Sequence, residues 1–173
     1  GTDYLGLDWI KSGYLFPVAA LGIGVGALLS GKLSGRNIEF GIVPVGAFGL
    51  AFTCMALSTV EPVMRSVQGL IFLAGFFSGL FIVPLQAFIQ FRSPADRRGE
   101  ILACTNFLSF LGVALSAGLL YVLNGVLGFS AGECFIAIGL LTGILAAISL
   151  VVLPDFFVRF VILIVTKDEL PDP

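Results

Sequence analysis

The sequence predicts an all-α membrane protein of about five transmembrane helices with an interfacial helix at its C-terminal end. Three observations predict it. Of 173 residues, 58% are hydrophobic and only 12% are charged, against roughly 25% charged in an ordinary soluble domain. The charges are clustered, leaving uncharged stretches at Ser12–Gly31, Phe40–Val60, Ser66–Phe91, Ile101–Gly132 and Cys134–Pro154. Each can cross a bilayer, since about 20 helical residues cover a hydrocarbon core of ~30 Å. Lipid cannot satisfy backbone N–H and C=O groups, and these runs lack the alternating polarity of barrel strands, so the spans are helices.

Residues 1–12 form an extracytoplasmic lead-in, with Tyr4 and Trp9 at headgroup level. The transmembrane bundle occupies residues 13–153. Its first helix covers about Tyr14–Ser30, where Gly22 and Gly26 have the GxxxG spacing that lets helix backbones approach closely. The second covers about Phe40–Ser58 and ends at Glu61-Pro62. The third covers about Val67–Gln90, carries Gly75 and Gly79 at the same spacing, and contains Pro84, either a gating kink or a proline tolerated in a packed bundle.

The polar stretch Arg92–Glu100 reads as a helix start: Ser93 as capping hydroxyl, Pro94 at the first helical position, Asp96 three residues after the cap. The fourth helix then runs over about residues 100–123, and Asn124-Gly125 marks a turn. The fifth covers about Gly132–Val152, with Gly139 and Gly143 again at GxxxG spacing. Residues 154–173 read as an interfacial helix, too short to span and with Arg159 snorkelling, followed by a linker that would lead to a downstream domain if one is fused.

Topology follows from the basic residues. If the first span exits to the cytoplasm, Lys32, Arg36, Arg92, Arg97, Arg98, Arg159 and Lys167 lie inside and only Lys11 and Arg65 outside. The predicted arrangement is N-terminus out and C-terminus in. An outside N-terminus without a signal peptide predicts further sequence upstream.

The chemistry expected is limited. There is no His, which removes the commonest acid/base catalyst and metal ligand. The spans carry no ionisable residue except Glu133 at a boundary, so a proton relay has no other candidate here. Cys54, Cys104 and Cys134 lie in apolar surroundings, as packing residues rather than a disulfide or metal site. No catalytic residue, metal, cofactor or nucleic-acid partner is expected. The remaining polar residues within spans are Gln86, Gln90, Thr105, Asn106 and Ser109. Gln86 and Gln90 share one helix face, as do Asn106 and Ser109, and the set either lines a substrate path or ties the third and fourth helices together.

Gly31-Lys32-Leu33-Ser34-Gly35-Arg36 resembles the cytoplasmic loop motif of the major facilitator superfamily, roughly Gly-x-Leu-x-Asp-Arg. Gly31, Leu33 and Arg36 match, and Gly35 stands where the motif has its acid. The resemblance implies that the five spans are helices eight to twelve of a twelve-helix transporter whose N-terminal half is missing here. Within the superfamily, Val83–Gln90, Arg92-Ser93-Pro94, Arg98–Ala103 and Asn106-Phe107-Leu108 look like the bacterial lysophospholipid transporter family. That family carries lysophospholipids across the inner membrane. In some bacteria it is fused to an acyltransferase, whose joining segment Leu153–Phe160 resembles.

What the resemblance implies is a path lined by Gln86, Gln90 and Asn106, loops held by Arg36, Arg97 and Arg98, and glycine faces for helix movement. Other readings stay open: a transporter of another small molecule, the membrane anchor of a fused acyltransferase, and a structural five-helix subunit.

Overall fold

The computed structural model describes residues 13–34, 42–60 and 63–152. Five helices cross the described residues: α1 (Leu15–Ser34), α2 (Ile42–Thr59), α3 (Met64–Arg92), α4 (Arg98–Leu120) and α5 (Ala131–Val152). All five are long and apolar enough to cross a membrane. At ~1.5 Å per residue the 29 residues of α3 reach about 44 Å. That exceeds the ~30 Å hydrocarbon core, so Arg65 and Arg92 at its two ends meet headgroups rather than acyl chains.

The side chains are distributed for lipid. Much of what is buried is small, Gly22, Gly26, Ser30, Gly46, Ala47, Ala51, Gly75, Gly79, Gly139 and Ala146, with a few larger residues such as Ile42, Leu57, Val67, Leu80 and Pro84 among them. What is exposed is large: Phe16 is 80% exposed, Phe52 70% and Val151 79%. In water this arrangement would forfeit the hydrophobic driving force. In lipid, association depends on close van der Waals packing, which small residues allow.

The order of packing is α1 against α3, α3 against α2, and α2 against α5. Close approaches give the directions. Along α1 and α3 the partner numbers rise together, from Gly22 beside Phe72 to Gly26 beside Phe76, so these helices are parallel. Between α2 and α5 they run oppositely, from Gly132 beside Ser58 to Gly143 beside Ala51. In α2, Gly46 meets Phe77 and Phe81 while Gly49 meets Phe77, so α2 is antiparallel to α3 as well. Helices α1, α3 and α5 thus share one direction, as successive membrane crossings require.

Three local expectations change. The first helix does not stop at Ser30: Gly31, Lys32 and Leu33 are helical, and α1 ends at Ser34. One helical glycine costs only about 1 kcal/mol, and Lys32 in the last turn suits the negative end of the helix dipole. Ser93 does not start α4. Its N–H and its hydroxyl both donate to the Ile89 carbonyl and close the C-terminal end of α3. Helix α4 begins one turn later, after Arg97, with no side-chain cap. Finally, Asn124 and Gly125 are not a turn but part of a six-residue π-helical continuation of α4, Tyr121–Val126. The chain reverses beyond it, at Gly128, whose φ of 71° suits a residue without Cβ.

Helix α5 begins on a reciprocal cap that the sequence reading had not singled out. The Ser130 N–H donates to Glu133 Oε2 at 2.7 Å, and the Glu133 N–H donates to Ser130 Oγ at 3.3 Å. This is the Ser-x-x-Glu capping box. The lead-in at 1–12, Glu61-Pro62 and the interfacial segment and linker at 154–173 lie outside the described residues.

Candidate substrate path

The seam between α1 and α3 is the tightest contact. A Cβ on Gly22 would overlap the Phe72 carbonyl oxygen, and one on Gly26 the Phe76 carbonyl oxygen. From the other side, a Cβ on Gly75 would overlap the Ala19 carbonyl oxygen, and one on Gly79 would lie 2.7 Å from the Ala27 nitrogen. Four glycines therefore interlock, and any side chain would separate the backbones. Gly24 points away and meets nothing within 4 Å. At the α2–α5 contact, Gly139 lies against Met55, Ala51 and Cys54, and Gly143 against Ala51 more loosely, with 3.6 Å available to a Cβ.

The polar residues do not gather. Gln86 is half-buried and Gln90 exposed on α3, while Asn106 and Ser109 are exposed on α4. The hydroxyls serve their own helix: Thr105 Oγ1 donates to the Ile101 carbonyl at 2.8 Å and Ser109 Oγ to the Thr105 carbonyl at 2.9 Å. Among the described residues no side-chain hydrogen bond joins Gln86 or Gln90 to Asn106. Two clefts open beside α2: one of about 460 Å³ against Phe77 and Leu150, the other of about 200 Å³ against Phe81 and Thr142. Neither is lined by a path candidate.

Pro84 is fully buried on α3. Its ring provides no N–H for the Leu80 carbonyl one turn earlier, yet the helix continues to Arg92. Arg97 and Arg98 stand exposed in the α3–α4 connection. The Arg97 guanidinium approaches Asp96 at 3.9 Å, both side chains largely exposed, a pair of little energetic value. In the loop motif, Gly31 and Leu33 are on α1, and Gly35 and Arg36 lie outside the described residues.

One buried group escaped the sequence reading. Ser30 has 0% exposure and its hydroxyl has no hydrogen-bond partner. The signal was present, because Ser30 extends the four-residue step of Gly22 and Gly26.

Comparison with known proteins places this architecture. The family model described as Major Facilitator Superfamily matches residues 2–117, from before α1 to the last turn of α4. No match was found among curated proteins or among solved structures. With five membrane-length helices, no strand among the described residues, and a match over most of its length, the chain belongs to the major facilitator superfamily of multi-pass membrane transporters.

Proposed function

We propose that these helices are helices eight to twelve of a transporter that moves lysophospholipids across a bacterial inner membrane, by alternating access between two helical halves. The resemblance of Val83–Gln90, Arg98–Ala103 and Asn106–Leu108 to the lysophospholipid transporters supports the choice of cargo. In this reading the ends bearing Lys32, Arg92, Arg97 and Arg98 face the cytoplasm, where basic residues accumulate. An acyltransferase fused downstream would then receive the delivered lipid.

The observation that carries the path assignment is the state of three amides. Among the described residues Gln86, Gln90 and Asn106 have no side-chain hydrogen-bond partner, whereas Thr105, Ser109 and Ser116 each bond a carbonyl of their own helix. A carboxamide left unpaired in hydrocarbon costs about 1–3 kcal/mol. Such groups are retained where they meet water or a polar cargo. A lysophospholipid offers both a headgroup for the amides and a single acyl chain for the apolar faces beside them.

The test is uptake of a fluorescent lysophospholipid by vesicles containing the full-length protein. Gln86→Ala combined with Asn106→Ala should slow it about tenfold, the equivalent of one or two lost hydrogen bonds. Unchanged uptake removes the path assignment. If the wild type moves a sugar phosphate but no lysophospholipid, the cargo assignment falls while the superfamily stands. Uptake that disappears when a fused enzyme is inactivated would instead favour a membrane anchor.

A further inference from the structure

The α1–α3 seam has a regular step. Gly22 lies against the Phe72 carbonyl and Gly26 against the Phe76 carbonyl, so four residues of α1 advance with four residues of α3. Both helices continue past this point, α1 to Ser34 and α3 to Arg92. Continued by four residues the series would bring Ser30 towards the Leu80 carbonyl, at a wider separation because serine has a Cβ. That carbonyl is the one Pro84 leaves without its usual donor. Ser30, Leu80 and Pro84 are all buried, at 0%, 5% and under 2% exposure.

Ser30 is unusual among the hydroxyls of this protein. Thr53, Ser78, Thr105, Ser109 and Ser149 each donate to the carbonyl four residues earlier, which is how a hydroxyl is normally satisfied in a membrane helix. Ser30 Oγ has no partner. Extended by the same four-residue step, the seam would set this buried donor without an acceptor opposite the carbonyl that Pro84 deprives of its helical donor.

We propose that Ser30 and the Leu80 carbonyl form a latch: the hydroxyl donates to the freed carbonyl in one bend of α3 and releases it in another. In the arrangement described here the latch is open. Closing it requires α3 to bend at the Leu80–Pro84 turn so that this turn moves against the end of α1, a movement a proline-interrupted helix allows. The glycines of the same seam keep the two backbones close enough for a side chain as short as serine to reach. The latch depends only on this seam and not on which cargo is carried, so it can fail while the lysophospholipid assignment holds, and the reverse.

The experiment is a double-mutant cycle on the full-length protein in lipid nanodiscs, with Cys54, Cys104 and Cys134 replaced by alanine. Spin labels at Gly31→Cys and Arg92→Cys, both exposed at the C-terminal ends of α1 and α3, report the distance between those ends. With Pro84 present, Ser30→Ala should change the ratio of short to long distances about threefold to tenfold, the range of one intramolecular hydrogen bond. With Pro84→Ala, which restores the donor to Leu80, the same substitution should change it less than about twofold. Equal shifts in both backgrounds overturn the latch.

If Pro84→Ala does not fold, Ser30→Ala alone still decides. An idle buried hydroxyl predicts an unchanged distance ratio and a higher thermal midpoint, because an unpartnered polar group has been removed. That outcome also overturns the proposal.

Discussion

Helices α1 and α3 meet backbone to backbone, whereas α4, just as apolar, has no buried residue among those described. The contrast is one of residue size and position. The α1–α3 seam places Gly22, Gly26, Gly75 and Gly79 opposite one another, so that carbonyls and Cα atoms make the contact. Helix α4 has its own small-residue face, with Thr105, Ser109, Gly112 and Ser116 spaced by four, three and four residues. Gly112 meets nothing within 4 Å. The difference teaches that a small-residue stripe becomes a packing surface only where a partner helix faces it, and the closest one where that partner is small as well.

The largest expected effect breaks the seam. Gly26→Leu or Gly79→Leu inserts a side chain where a Cβ alone already collides with backbone. Backbone cannot move aside as a side-chain tip can, so the cost should reach about 3 kcal/mol or more. Thermal unfolding and size-exclusion profiles of the detergent-solubilised protein would read it. If Gly143→Leu, where a Cβ would have 3.6 Å, proves equally harmful, the distinction drawn from the seam is wrong.

A smaller effect sharpens the comparison on α4. Ile101, Leu102 and Thr105 are its half-buried residues, and they fall on the same side as Ser109 and Gly112. Phe107 and Phe110, at 66% and 75% exposure, fall on the other. In a bilayer the small face turns to protein and the phenylalanine face to lipid. Ser109→Leu or Gly112→Leu in the full-length transporter should therefore cost about 1–3 kcal/mol. Phe107→Leu and Phe110→Leu should stay within about 0.5 kcal/mol. The reverse ranking in a thermal-shift series would mean that the large face is the packed one.

The same two regions show how far the residues could be read without coordinates. Five spans were legible because 20-residue uncharged runs leave few alternatives in lipid. Family membership was legible in the loop pattern Gly31, Leu33 and Arg36 taken together with the order and orientation of the five spans. What the spacing could not supply was which helices face each other: Gly22 and Gly75 lie 53 positions apart in the chain, and nothing local pairs them. Span ends were misread for a related reason. The pattern Ser93-Pro94-Ala95-Asp96 fits a helix start, but the Ser93 hydroxyl had a nearer acceptor in the Ile89 carbonyl. Asn124-Gly125 fits a turn, but a six-residue π-helical segment absorbs it before Gly128 reverses the chain.

The smallest effect concerns how α4 and α5 begin. Arg97 precedes α4 without a side-chain cap, while Ser130 and Glu133 close the first turn of α5 reciprocally. Replacing a capping serine by alanine removes an acceptor for an otherwise unpaired helix N–H and costs about 1 kcal/mol. Ser130→Ala should therefore speed hydrogen exchange at the Glu133 amide about fivefold. Ser93→Ala should leave exchange in the first turn of α4 unchanged, because its hydroxyl bonds backward to Ile89. Faster exchange at Arg98 or Gly99 in the Ser93 variant would return Ser93 to the role its sequence context suggests.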